Sequence, residues 1–126
     1  MNLARGVRVF LAAEAILFFG AAIAHFGSFI DRTQDGAAGT AETVIGLVIL
    51  GGLIITVIKD HLTRTTSLAV QAFALLGTMI GIFTIIIGVG PNTTTDIIIH
   101  TMMVTLLVSG LVVAQRADIR HLAVQV

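Results

Sequence analysis

Charges and apolar runs alternate along this chain on the length scale of a bilayer. The 22 residues between Arg8 and Asp31 are interrupted only by Glu14 and His25; 16 uncharged residues separate Glu42 from Lys59, 31 separate Arg64 from Asp96, and 19 separate Asp96 from Arg116. A helix needs about 20 residues to cross a hydrocarbon core of roughly 30 Å. The pattern therefore predicts four helical spans, near 7–30, 38–58, 67–89 and 94–115. The runs lack the period-two alternation of membrane strands and are too few for a barrel. Asp35-Gly36, the polar run from Lys59 to Thr66, and Gly90-Pro91-Asn92 supply the breaks.

Composition makes the membrane reading hard to avoid. Of 126 residues, 56% are hydrophobic and 11% charged, with a mean hydropathy of +1.05. A soluble domain carries about 25% charge. A soluble enzyme and a disordered tail are excluded on this ground. So is a nucleic-acid partner, because seven Lys and Arg balance seven Asp and Glu and leave no basic patch. The chain contains no cysteine, so disulfides, thiolate metal sites and thiol catalysis are also excluded.

The cations orient the spans. Arg5, Arg8, Lys59, Arg64, Arg116 and Arg120 fall on the side shared by both termini and the 59–66 loop, and Arg32 alone on the other, beside Asp31 and Asp35. This positive-inside bias predicts cytoplasmic termini. Short connections make successive spans antiparallel, so the expected fold is an all-α, integral membrane, up-down four-helix bundle forming one domain. Trp and Tyr are absent, so no aromatic belt anchors it. Arg5, Arg8, the apolar stretch and Ala22-Ile23-Ala24 have the outline of a cleavable signal peptide, but Glu14 inside that stretch favours a retained span.

Helices in lipid need small side chains to approach one another. Gly20, Ala21, Ala24 and Gly27 in span 1, Gly46, Gly51 and Gly52 in span 2, and the GxxxG of Gly77–Gly81 in span 3 supply them. The GxxxG is expected to pack inside the bundle rather than to form a dimer interface. Met102, Met103 and the phenylalanines read as core or lipid-facing filler.

Ionisable groups within spans are unfavourable enough to be functional candidates by default. At 1.5 Å per residue, His25 comes about 9 Å below the outer surface, Glu42 roughly 6–8 Å and His100 about 10 Å. Three residues from three helices thus converge on one level. His25 and His100 offer the two axial ligands of a b-type haem, with Gly20, Ala21, Ala24 and Gly46 leaving room for the macrocycle and Arg32 for a propionate. Alternatively, His25, Glu42 and His100 form a two-His-one-carboxylate set for a transition metal. The same cluster suits proton or quinone handling. The plainer reading is interhelical hydrogen bonding.

Asp96 lies four residues before His100 and can orient that imidazole, but with Thr93 it also fits a capping box opening span 4. Glu42 likewise fits an acidic first turn behind Thr40. Glu14 lies about 9 Å from the cytoplasmic edge and needs to be protonated or bonded to Gln71, Thr105 or Ser109. It shares a stripe with His25, but a gap of some 16 Å is too wide for a proton path. His61 and His121 are expected in solvated segments.

Residues Ala41-Glu42-Thr43-Val44-Ile45-Gly46, Ala72, Pro91, Thr95-Asp96 and His100 give the chain a resemblance to a family of small, uncharacterised bacterial four-span membrane proteins. Ala24-His25-Phe26 resembles the corresponding end of a helix in DoxX-type four-helix proteins. Either resemblance implies a four-span bundle and brings no catalytic residue. The expected function is a non-catalytic accessory or structural subunit, in lipid, of a homo-oligomer or larger membrane complex. A haem, metal or quinone redox protein is the alternative. An oligomeric channel or transporter is third, because Glu14, Gln71, Thr78 and Thr84 are too few for a polar pore stripe.

Overall fold

A computed structural model describes residues 3–27, 35–90 and 92–123, with side chains described as far as Ala117. It is all-helical. Four helices, α1 (Leu3–His25), α2 (Gly36–Ile58), α3 (Thr63–Ile86) and α4 (Thr94–Ala123), carry the described chain, with a 3-10 turn at Asp60–Leu62 before α3. All four are long and apolar enough to cross a membrane. The neighbours around the ring are α1–α2, α2–α3, α3–α4 and α4–α1, while α1 and α3 meet only across the diagonal.

Helix ends depart from the expected spans for local reasons. The first helix stops at His25 rather than near residue 30, because Gly27 takes a positive φ of 80°. The Asp35 amide then donates to the His25 carbonyl at 2.9 Å, returning the chain to the end of α1. Asp35 caps α2, its Oδ1 accepting from the amides of Ala37 and Ala38 at 3.0 and 3.2 Å. The third helix begins at Thr63, four residues before the expected 67, and ends at Ile86. Gly88, at φ 76°, turns the chain beyond it.

The buried positions along α1 include Val7, Leu11, Glu14, Phe18, Ala21 and His25, a spacing of four and three that repeats every seven residues, flanked by the small residues Gly6, Ala15, Ala22 and Ala24. The fourth helix does the same with Asp96, Met103, Leu107, Gly110 and Ala114, His100 half-buried between the first two. A seven-residue seam is the signature of left-handed bundle packing. The apolar core runs along these seams through Val7, Leu11, Phe18, Ile49, Ala74, Met103 and Leu107. The first helix is central: 44% of its apolar stretch is buried, against 17% for α3.

Glycines on α2 act as sockets for one ring on α1 and one in the turn just after it. A Cβ at Gly46 would lie 3.0 Å from the Phe19 ring, and one at Gly39 would lie 3.0 Å from the Phe26 ring. Both pairs are seven residues apart and run in opposite directions, as two antiparallel helices in one register require. The GxxxG glycines of α3 face inward, Gly77 against Ile45 of α2 and Gly81 against His100 of α4. Of the adjacent pair Met102 and Met103, Met103 is core and Met102 is exposed.

Candidate functional site

Three helix ends meet around His25, the last residue of α1. Glu42, in the second turn of α2, places Oε2 2.7 Å from His25 Nδ1, and Asp96, in the first turn of α4, places Oδ1 3.2 Å from His25 Nε2. The side chains are almost wholly buried, at 2%, 8% and 1% exposure. Each nitrogen-to-oxygen line needs one proton, because a carboxylate only accepts. Either an imidazolium lies between two carboxylates, or a neutral ring lies between one carboxylate and one carboxylic acid. Both arrangements carry one net negative charge.

The α4 terminus accommodates that charge. Asp96 Oδ2 accepts from the Thr93 amide at 3.0 Å and the Thr93 hydroxyl at 2.6 Å, and the Asp96 amide donates back to Thr93 Oγ1 at 3.2 Å. This is a reciprocal capping box, and it sets the carboxylate at the positive end of the helix dipole. Asp96 thus has both expected roles, with one change: the imidazole it orients belongs to His25. His100 instead donates from Nδ1 to the backbone carbonyl of Asp96 at 2.8 Å, and its Nε2 faces α3 at Gly81.

The geometry brings His25 and Glu42 together, as the common level suggested, adds Asp96, and turns His100 away. Both His25 nitrogens are held by carboxylates, so neither is open to a haem iron, and the donor set does not fit the two-histidine ligation. The small residues proposed to make room for a macrocycle serve elsewhere: Gly46 seats Phe19, Ala21 and Ala24 are buried in packing, and Gly20 faces outward. Glu42 and Asp96 approach opposite edges of the ring. Among the described residues no group of three His, Asp or Glu side chains is arranged to hold a metal ion, and His25, Glu42 and His100 do not assemble as one. Arg32, the candidate propionate partner, lies outside the described residues.

A second polar contact lies half-way along the bundle. Glu14 of α1 and Gln71 of α3, both fully buried, meet across the diagonal, Gln71 Nε2 donating to Glu14 Oε1 at 2.8 Å. Glu14 Oε2 and Gln71 Oε1 have no partner among the described residues. A carboxylate and an amide oxygen are both acceptors, so Glu14 can serve the Gln71 oxygen only when it carries a proton. Of the three expected partners, Gln71 is the one used; Thr105 and Ser109 donate to carbonyls of their own helix. Thr78 and Thr84 do likewise, so among the described residues no continuous polar stripe runs beside the pair.

Gly110 makes this diagonal contact possible. A Cβ there would fall 2.5 Å from Glu14 Oε1 and closer still to Gln71 Nε2. Its place on the α4 seam, seven residues after Met103 and opposite Glu14, is the signal that marks it. At the other end of α1, Arg8 Nη2 donates at 2.5 Å to both the Thr56 carbonyl and Asp60 Oδ1. His61 is exposed, as expected. The His121 side chain lies outside those described.

Comparison with protein-family models, characterised proteins and solved structures finds no match.

Proposed function

We propose that the chain is a bacterial inner-membrane protein that crosses the bilayer four times with both termini in the cytoplasm. We further propose that it is a non-catalytic structural or accessory subunit of a homo-oligomer or larger membrane complex. The observation that carries this reading is the commitment of its buried polar groups to one another. Glu14 pairs with Gln71, and His25 with Glu42 and Asp96, leaving the outside of the described helices overwhelmingly apolar. Groups used in this way bind helix to helix. Two outward glycines, Gly20 on α1 and Gly51 on α2, have open space where a Cβ would be, so another helix can approach closely there.

The test is the mass of the assembly extracted in native lipid. The reading expects a defined particle larger than the 13.2 kDa chain, alone or with other membrane subunits. Gly20→Leu with Gly51→Leu should break it while leaving the melting temperature of the bundle unchanged. A monodisperse single chain, unaffected by these substitutions, contradicts the subunit reading. Orientation is checked separately, because a cysteine-free chain allows clean single-cysteine labelling. A thiol at Thr65 should be protected from an impermeant reagent added outside intact cells, and one at Thr33 should react.

A further inference from the structure

A half-open cavity of about 370 Å³ lies between α3 and α4, one turn inward from Asp96. Isoleucines make most of its wall, Ile82, Ile85 and Ile86 from α3 and Ile97 from α4, with His100, Thr101 and Asn92 supplying the polar atoms. Its size falls within the range of small-molecule sites, roughly 300–1,000 Å³, and an apolar wall with few polar atoms is their usual composition.

Hydrogen-bond accounting says what kind of molecule it suits. The partner of His100 Nδ1 is a backbone carbonyl, which only accepts, so Nδ1 carries the proton. In the neutral imidazole, Nε2 is then a lone pair. Gly81 holds that atom open, since a Cβ there would lie 3.1 Å from Nε2. Thr101 Oγ1 donates its proton to the Ile97 carbonyl at 2.7 Å and likewise has only acceptor capacity left. Asn92, which is exposed, can donate or accept; at His100 and Thr101 the isoleucine-walled cavity presents two acceptors, which favour an apolar molecule that brings a donor. A carbonyl or ether oxygen in the same place would meet a lone pair with a lone pair.

We infer that this cavity binds a lipid-soluble molecule bearing a hydroxyl group, which donates its hydrogen bond to His100 Nε2. In a bilayer that chemistry comes from two sources, a hydroquinone or a lipid alcohol such as a diacylglycerol. The inference is independent of the subunit reading, because it concerns the α3–α4 groove and neither outward glycine.

The experiment uses the full chain in phosphatidylcholine nanodiscs with ¹⁵N-labelled histidine rings. It compares two matched pairs of probes: decylubiquinol against decylubiquinone, and dioctanoylglycerol against its acetyl ester. Within one pair, the hydroxyl member should shift the unprotonated His100 Nε2 resonance and bind about tenfold more tightly than its donorless partner. The pair that does so names the source. His100→Gln, whose amide can donate or accept at the same place, should reduce that preference to under about twofold while melting unchanged. Gly81→Ala should weaken the hydroxyl member alone, by crowding Nε2. Equal binding within both pairs, or a preference that survives His100→Gln, overturns the inference, and the cavity is then a seat for acyl chains.

Discussion

The two buried polar clusters solve the same problem in opposite ways. Around His25 the two ring nitrogens meet two carboxylates, and the second oxygen of Asp96 is held by Thr93. That cluster lies where three helix ends meet, so backbone amides and a helix dipole help to hold its charge. The Glu14–Gln71 contact lies in mid-bundle, where helical backbone groups are already paired and none can assist. It has one hydrogen bond and two oxygens without a partner among the described residues. Position along the helix, rather than residue type, decides whether a buried carboxyl is held as an ion or needs a proton.

Substitutions can break or sharpen that contrast. The largest effect is expected from Asp96→Ala, which removes one His25 partner and the α4 cap together. Loss of one member of a buried ionic group costs about 3–5 kcal/mol, and unfolding of the bundle in bicelles should show a destabilisation of that order. Asp96→Asn, which preserves the cap, should cost clearly less. Gly110→Ala comes next: its Cβ forces Gln71 and Glu14 apart, a steric insertion worth about 1–3 kcal/mol in the same assay.

Replacements of Glu14 separate the two clusters most sharply. Glu14→Leu strands the Gln71 amide and should cost about 1–3 kcal/mol, whereas Glu14→Gln keeps an acceptor for Gln71 Nε2 and adds a donor, and should cost under about 1 kcal/mol. Equal costs for the two would contradict a neutral, hydrogen-bonded role. The smallest effect is expected from Arg8→Ala. Asp60 is 77% exposed, and solvent screening holds such a pair to about 1 kcal/mol or less.

Much of this organisation is legible in the chain before any coordinates. Four apolar runs bounded by charge yield four helices, and Thr93 with Asp96 marks the start of α4. Glu14 finds Gln71, one of the partners its depth called for. The depth arithmetic also brings His25 and Glu42 to one place, but depth says nothing of rotation. His100 shares the level of His25 and still faces α3, because its Nδ1 is drawn to the carbonyl one turn back. The seven-residue seam Val7, Leu11, Glu14, Phe18, Ala21, His25 carries the missing rotational information for α1. The corresponding seam on α4 contains Asp96, His100 and Gly110 together. Which of these reaches across to α1 is decided by tertiary packing: Asp96 meets His25 and Gly110 lies against Glu14, while His100 lies against Gly81 of α3.

The most direct test of polar clusters as interhelical clasps is a double-mutant cycle between His25 and Asp96, measured by reversible unfolding in bicelles. With His25→Leu, Asp96→Ala and the double variant, a clasp predicts a coupling of about 1–2 kcal/mol, the upper range for hydrogen-bonded pairs in membrane bundles. Single effects that add to within about 0.3–0.5 kcal/mol would contradict it, and His25 would then be held by packing alone.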